Sequence, residues 1–176
     1  MTVGVVALLA VLAVLLFLGG RARGAELLTA GSVAPGFALP NQDGERVDSA
    51  TLAGTWFVLY FYPRDDTPGC TKEACAFRDR LGELQALGVR VLGVSFDDVA
   101  SHKAFAGKYH LTFDLLADPS GEVVARYHAR SILPGVARRV SYLVDGTGVI
   151  RKVYPDVSPT EHAGEIIADV KALRGT

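Results

Sequence analysis

Both cysteines of the 176-residue chain lie in one short stretch, DDTPGCTKEAC. Pro68 favours the first position of a helix, which places Cys70 in its first turn. Free backbone N–H groups and the helix dipole stabilise an anion at that end, so we expect Cys70 to be a reactive thiolate. Thr67 is predicted to aim its hydroxyl at whatever the sulfur attacks. Together, Pro63, Thr67 and Cys70 indicate a small pocket for an oxygen-rich substrate.

The second thiol, Cys75, follows Cys70 by five residues on the same predicted helix. Five helical residues correspond to about 7.5 Å of rise, which separates the two Cα atoms by about 8 to 9 Å. A disulfide tolerates at most about 7 Å between Cα atoms. A Cys70–Cys75 bond therefore requires the first helical turns to unwind. The alternatives are a core position for Cys75 beside Ala74, a buried unreactive Cys70, or a structural disulfide.

The elements that must position these residues follow from the apolar pattern. Trp56–Tyr62 and Val89–Ser95 are continuous apolar runs, which predict strands buried on both faces. Residues 68–87 follow helical spacing and are predicted to form one helix. The remaining predicted elements are a strand over Val33–Leu39, a helix over Ser101–Tyr109, a strand over Phe113–Leu116, a hairpin of Val140–Val144 with Val149–Val153, and a helix over Pro159–Leu173. This order predicts an α/β domain over residues 26–176, with a thioredoxin-like fold whose central mixed β-sheet is flanked by helices.

Residues 1–25 are predicted to form a separate hydrophobic segment. Residues 3–20 carry no charge, and as a helix they would extend about 27 Å, close to the thickness of a bilayer core. We expect an N-terminal hydrophobic helix that anchors the chain in a membrane. Arg21 and Arg23 follow it, which predicts a cytoplasmic catalytic domain. The alternative is a signal peptide, with export of the domain to the periplasm after cleavage.

Charge and motif content exclude several classes of function. The formal net charge is −1, whereas nucleic-acid partners usually demand a basic surface. The four histidines are scattered, without the spacing of a metal site. Phosphate-binding and nucleophile-elbow motifs do not occur. We therefore expect no metal, no cofactor and no nucleic-acid partner.

Two stretches, FYPRDDTPGCTKEACAFRD and RRVSYLVDGTG, resemble the bacterioferritin comigratory protein/peroxiredoxin Q branch of the peroxiredoxins. The resemblance covers roughly residues 28–173. It implies that Cys70 is the peroxidatic cysteine, which attacks a hydroperoxide and becomes a sulfenic acid. It also implies that Cys75 is the resolving cysteine.

The same resemblance implies roles for three further residues of the site. Pro63 would shield the thiolate, and Thr67 would hydrogen-bond the peroxide. The pattern around the late strand aligns the site arginine with Arg139, whose neighbour Arg138 would be solvated. Glu73 is interpreted as a first-turn acid that interacts favourably with the helix dipole.

The resemblance implies a thiol-dependent peroxidase that reduces hydrogen peroxide and organic hydroperoxides in antioxidant defence and is recycled by thioredoxin or a similar protein. No haem or metal is needed for that cycle. One alternative is a membrane-tethered thiol–disulfide oxidoreductase, which would need a C-x-x-C pair in place of the C-x4-C spacing seen here. Another is a redox sensor or chaperone-like module that uses the same thiol. We expect a monomer or a weak dimer.

Overall fold

The computed structural model describes residues 26–175. Its strands are β1 (Ala38–Pro40), β2 (Arg46–Asp48), β3 (Trp56–Phe61), β4 (Val89–Ser95), β5 (Asp114–Ala117), β6 (Val140–Val144) and β7 (Ile150–Tyr154). Its α-helices are α1 (Pro68–Asp79), α2 (Leu81–Ala86), α3 (Val99–Tyr109), α4 (Glu122–Arg126) and α5 (His162–Arg174). The predicted hydrophobic helix within residues 1–25 lies outside the described residues.

The central sheet has five strands in the order β5-β4-β3-β6-β7. β3 pairs in parallel with β4, and β4 with β5. β6 runs antiparallel to both β3 and β7, with Tyr60 of β3 opposite Ser141 of β6. β1 and β2 form a separate antiparallel pair. A mixed sheet with a parallel unit closed by a hairpin is the predicted architecture, and the thioredoxin-like α/β fold is confirmed.

Strand β3 is buried on both faces, as its apolar run predicts. Because side chains alternate along a strand, β3 contributes to two separate cores. Tyr60 packs in the core that contains Cys70 and helices α1 and α5. Phe61 packs in the opposite core, against α4 and the start of the domain. Cys70 is thus packed within one of the two buried cores.

The predicted helix over residues 68–87 is two helices. Arg80 separates α1 from α2 with φ −111° and ψ 11°, outside helical geometry. After this break Leu81 and Leu84 are buried in the same core as strand β4. Their apolar spacing continues that of α1, so the pattern alone could not reveal the change of direction.

Helix α4 was missed by the sequence analysis. It is only five residues long, too short for a 3.6-residue period to be recognised. The buried side chain of Asp118 starts it, because its Oδ1 accepts a hydrogen bond from the backbone N–H of Glu122 and its Oδ2 one from Val124. The turn over residues 118–121, closed by a hydrogen bond from the Gly121 N–H to the Asp118 carbonyl at 2.9 Å, therefore leads into a helix.

Among the helices within residues 26–175, none is both long enough and apolar enough to cross a bilayer.

Candidate active site

Cys70 is the third residue of α1, two positions after the helix start at Pro68. Thr67 is the N-cap residue, and its extended φ of −87° and ψ of 151° end the preceding loop. The thiol of Cys70 is buried, and it is free, as is that of Cys75. The position at the positive end of a twelve-residue helix is the one expected from the sequence.

Arg139 contacts the Cys70 sulfur directly. Its Nη2 donates a hydrogen bond to Cys70 Sγ at 3.2 Å. It lies immediately before β6, whose pairing with β3 brings this end of the strand next to the loop that follows β3. Burial disfavours the guanidinium charge, but Glu73 and Cys70 outweigh that effect and raise the pKa of Arg139. A cation is therefore held beside the sulfur at any relevant pH.

Gly69 permits this approach of the arginine. A Cβ atom at position 69 would lie 3.1 Å from Arg139 Nη2, tighter than ordinary van der Waals contact. A side chain at position 69 would therefore require the guanidinium to shift by a few tenths of an ångström.

Glu73 is a buried partner of Arg139, and its predicted role as a first-turn acid is wrong. The helix begins at Pro68, so Glu73 lies in the second turn, where its side chain is fully buried. Its Oε2 accepts a hydrogen bond from Arg139 Nη1, while Oε1 has no hydrogen-bond partner. Burial raises the pKa of Glu73 to about 7, against the lowering effect of Arg139. The spacing of three residues from Cys70 is the signal that could have placed both on one face.

Pro63 and Thr67 lie on the loop between β3 and α1, and both are half-buried. The hydroxyl of Thr67 donates to the backbone carbonyl of Arg64 at 3.0 Å. Because that bond uses its only proton, the oxygen keeps lone pairs to accept a hydrogen bond from a ligand.

A buried network that the sequence analysis missed holds the same loop in place. Asp65 accepts hydrogen bonds from Tyr62 Oη at 2.7 Å and from Ser101 Oγ at 2.8 Å, and His102 Nδ1 lies 2.8 Å from its Oδ2. Its backbone N–H donates to Asp97 at 3.0 Å. Helix α3 therefore anchors the loop before Cys70. No local sequence motif predicts this contact, because His102 follows Asp65 by 37 residues.

His162 lies behind the cysteine helix, at the start of α5. Its ring is fully buried, packs edge-on against Phe77, and has Nε2 2.8 Å from Ser141 Oγ. Burial, followed by repulsion from Arg139, lowers the pKa of His162 to about 4. The ring is thus neutral at physiological pH.

Within residues 26–175, no group of three or more His, Cys, Asp or Glu side chains is placed to hold a metal ion.

Comparison with known proteins links this site to one family. Residues 30–153 match the AhpC/TSA family. The chain is 45% identical over 145 residues to a chloroplastic peroxiredoxin Q of Triticum aestivum, covering 81% of this chain and 67% of that protein. It is 42% identical over 144 residues to a putative peroxiredoxin bcp of Coxiella burnetii, covering 78% of this chain and 95% of that protein.

A solved structure shares the fold. The crystal structure of peroxidoxin BcpB from Mycobacterium tuberculosis superposes with a TM-score of 0.78 at 32% sequence identity. The match covers 84% of this chain and 99% of that one.

These relatives overturn the predicted location of a membrane-anchored chain with a cytoplasmic domain. The wheat protein and similar proteins from rice are named chloroplastic, and the Coxiella relative is a bacterial peroxiredoxin. The prediction was drawn from the apolar run of residues 3–20 and from the two arginines after it, and neither feature reports where the domain resides.

The similarity extends over most of the chain and includes the segment that carries the free thiol, its helix and the arginine. Both the sequence relatives and the solved structure are peroxiredoxins by name. The chain therefore belongs to the AhpC/TSA family, within its peroxiredoxin Q branch, and is a thiol-dependent peroxidase.

Proposed function

We propose that Cys70 is the peroxidatic residue of this peroxidase, within a catalytic domain over residues 26–176. The observation that carries the proposal is the 3.2 Å hydrogen bond from Arg139 Nη2 to Cys70 Sγ. A guanidinium at this distance stabilises the thiolate, which is the nucleophilic form of cysteine. It also stabilises negative charge on an oxygen that leaves from the same place.

The first step is a displacement on the hydroperoxide. The Cys70 thiolate attacks the terminal oxygen, a sulfur–oxygen bond forms and the oxygen–oxygen bond breaks. The leaving oxygen takes up a proton as water or an alcohol, and Cys70 is left as a sulfenic acid. Thr67 accepts a hydrogen bond from the peroxide, and Pro63 shields the sulfur from bulk water. Hydrogen peroxide and organic hydroperoxides are the proposed substrates.

Cys75 is proposed to resolve the oxidised Cys70. Its sulfur attacks the sulfenic sulfur, a disulfide forms and water leaves. Both residues lie on α1, so the first turns of that helix must unwind before the sulfurs meet. A thioredoxin-like dithiol then reduces the disulfide and is itself oxidised. The oxidoreductase cycle closes without a cofactor.

The catalytic unit is proposed to be a monomer or a weak dimer. The thiol, the guanidinium and the carboxylate of the site all come from one chain, which supports this proposal. Sedimentation of the reduced protein across a range of concentrations tests it, and a stable dimer at submicromolar concentration would argue against it.

The experiment that tests the cysteine roles compares Cys70→Ser with Cys75→Ser. Each variant is treated with one equivalent of hydrogen peroxide and analysed by mass spectrometry with a sulfenic-acid trap. We expect Cys75→Ser to form a trapped sulfenic acid at Cys70 but to stop cycling with thioredoxin. Cys70→Ser should consume no peroxide. Normal thioredoxin-driven turnover by Cys75→Ser would refute the resolving role.

A further inference from the structure

Tyr109 contacts both ends of the helix that carries the two cysteines. It is the last residue of α3, Val99–Tyr109. Its hydroxyl donates to Asp66 Oδ1 at 2.5 Å, just before α1 begins. Its backbone carbonyl accepts a hydrogen bond from Arg78 Nη1 at 2.7 Å, in the last turn of α1. The segment between these two contacts contains Cys70 and Cys75.

The contact in front of Cys70 involves two donors from α3. Lys108 Nζ lies 2.9 and 2.7 Å from the two carboxylate oxygens of Asp66, in addition to the Tyr109 hydroxyl. The hydrogen bond from Lys108, followed by that from Tyr109, lowers the pKa of Asp66. Asp66 also has a φ of 54°, a left-handed conformation that needs support from its surroundings. Helix α3 therefore holds the backbone that enters α1.

The contact behind Cys75 is the hydrogen bond from the Arg78 side chain to the backbone carbonyl of Tyr109. Arg78 follows Cys75 by three residues, so the two side chains share one face of α1. The pKa of Arg78 is raised chiefly by its hydrogen bond with Asp79, and Cys75 also contributes. The acceptor on α3 is a backbone carbonyl, which is fixed by the end of that helix. This contact therefore keeps the Cys75 end of α1 in place.

We propose that Tyr109 is a positioning residue for the disulfide step. Acting through Asp66, its hydroxyl holds the first turns of α1 folded, in the form that reacts with peroxide. Release of that bond frees the Cys70 turn to move toward Cys75, whose end of the helix stays anchored by Arg78. The inference rests on the proposed resolving role of Cys75.

The hydroxyl of Tyr109 would also affect the overoxidation of Cys70. While α1 stays folded, the sulfenic acid of Cys70 is exposed to a second hydroperoxide, which would convert it to an irreversible sulfinic acid. A faster release shortens that exposure. Tyr109 would thus set the balance between resolution and overoxidation without contacting the reacting sulfur.

The test removes only the hydroxyl, in Tyr109→Phe. Rapid quenching and mass spectrometry then measure two rates, the second-order oxidation of Cys70 and the first-order formation of the Cys70–Cys75 disulfide. We expect disulfide formation to accelerate about fivefold, the effect of a partly exposed hydrogen bond to a charge. Cys70 oxidation should change less than twofold, and the yield of sulfinic acid at high peroxide should fall.

The matched control is Lys103→Met on the same helix. Lys103 lies 3.7 Å from Asp43, a carboxylate outside the contacts that α3 makes with α1. It should change neither rate. An equal acceleration in this variant would mean that loosening α3 anywhere has the same effect, and it would overturn the proposal.

A double-mutant cycle with Asp66→Asn decides whether the hydroxyl acts through Asp66. Asparagine tolerates the left-handed backbone at this position. If the hydroxyl acts through Asp66, the double variant Tyr109→Phe/Asp66→Asn should form the Cys70–Cys75 disulfide no faster than Asp66→Asn alone. Additive accelerations, or an unchanged rate in Tyr109→Phe, would refute the role of Tyr109. Absence of a Cys70–Cys75 disulfide in the unmodified protein would instead refute the resolving role of Cys75, and this inference with it.

Discussion

Two buried carboxylates, Asp65 and Glu73, flank Cys70 in the sequence, and their oxygens differ in hydrogen-bond partners. Asp65 has a side-chain partner for each oxygen, with Tyr62, Ser101 and His102 around it. Glu73 shares Arg139 with the sulfur through one oxygen and has no partner for the other. Both oxygens of the carboxylate that anchors the loop are hydrogen-bonded, whereas the carboxylate beside Cys70 has one oxygen without a partner. The difference predicts that Asp65 holds structure and that Glu73 affects the chemistry of the site.

The incomplete pairing of Glu73 has a consequence for the sulfur. Burial raises the pKa of Glu73 to about 7, so a large share of molecules near neutral pH carry the neutral acid. In those molecules the charge of Arg139 is not offset by a carboxylate. A fully ionised Glu73 would compete with the Cys70 thiolate for the same guanidinium.

The largest effect is expected from Arg139→Met. It removes the cation from Cys70 and leaves Glu73 without its donor. We expect the rate constant for reaction with hydrogen peroxide to fall about 100- to 1,000-fold, as when a charge-stabilising donor is removed from other active sites. Stopped-flow measurement of thiol oxidation checks this.

The matched control is Arg138→Met, the adjacent cation on the same segment. Its backbone N–H donates to the carbonyl of Ala129, and among the described residues its side chain makes no hydrogen bond to Cys70. The rate should stay within about twofold of the unmodified protein, the scale expected of a charge that does not bond to the sulfur directly. A loss as large as that of Arg139→Met would mean that general positive charge matters more than the direct hydrogen bond.

A smaller effect, on stability, is expected from comparing Asp65→Ala with Glu73→Gln. Removing Asp65 leaves buried donors on Tyr62 and His102 unpaired, at about 2 to 4 kcal/mol of unfolding free energy. Glutamine is close in shape to the protonated form of Glu73, so that change should cost under about 1 kcal/mol at pH 7. Urea unfolding measures both. Equal losses would contradict the division between an anchoring and a tuning carboxylate.

The smallest effect concerns the pH dependence of stability. The folded-state pKa of Glu73 is raised from 4.5 to about 7, so its contribution is present below pH 4.5 and is lost as pH rises through 7. The pKa of His162 is lowered from 6.5 to about 4, so its contribution is present above pH 6.5 and is lost as pH falls through 4. Between pH 4.5 and 6.5, Glu73 therefore lowers the free energy of unfolding as pH rises, whereas His162 raises it.

Single variants separate these slopes. In Glu73→Gln only the titration of His162 remains, so the free energy of unfolding should rise by about 2 kcal/mol from pH 4.5 to 6.5. In His162→Gln it should fall by a similar amount over the same range. Unfolding measured at intervals of half a pH unit shows both trends, and profiles that slope in the same direction would contradict the assignment.

The buried strands β3, β4 and β6 were predictable because they are apolar runs bounded by turn residues, whereas the predicted strand over Val33–Leu39 shares only two residues with the observed β1, Ala38–Pro40. Val140–Val144 and Val89–Ser95 have the predicted bounds, and β3 differs from its prediction by one residue. The break at Arg80 was not predictable because it leaves the local apolar period unchanged, and helix α4 was not because it is too short to show that period. The first depends on packing against neighbouring elements, and the second on a single buried aspartate.

What the sequence alone determined is where the thiol lies and which arginine to expect beside it. Local rules place Cys70 at a helix start, the family resemblance points to Arg139 before a late strand, and the structure brings the two side chains into contact. Only the tertiary structure decided that Glu73 faces inward to share that arginine, and that Asp65 and Tyr109 join α3 to the cysteine segment. Those contacts link residues separated by 31 to 66 positions, so they form only after the chain has packed.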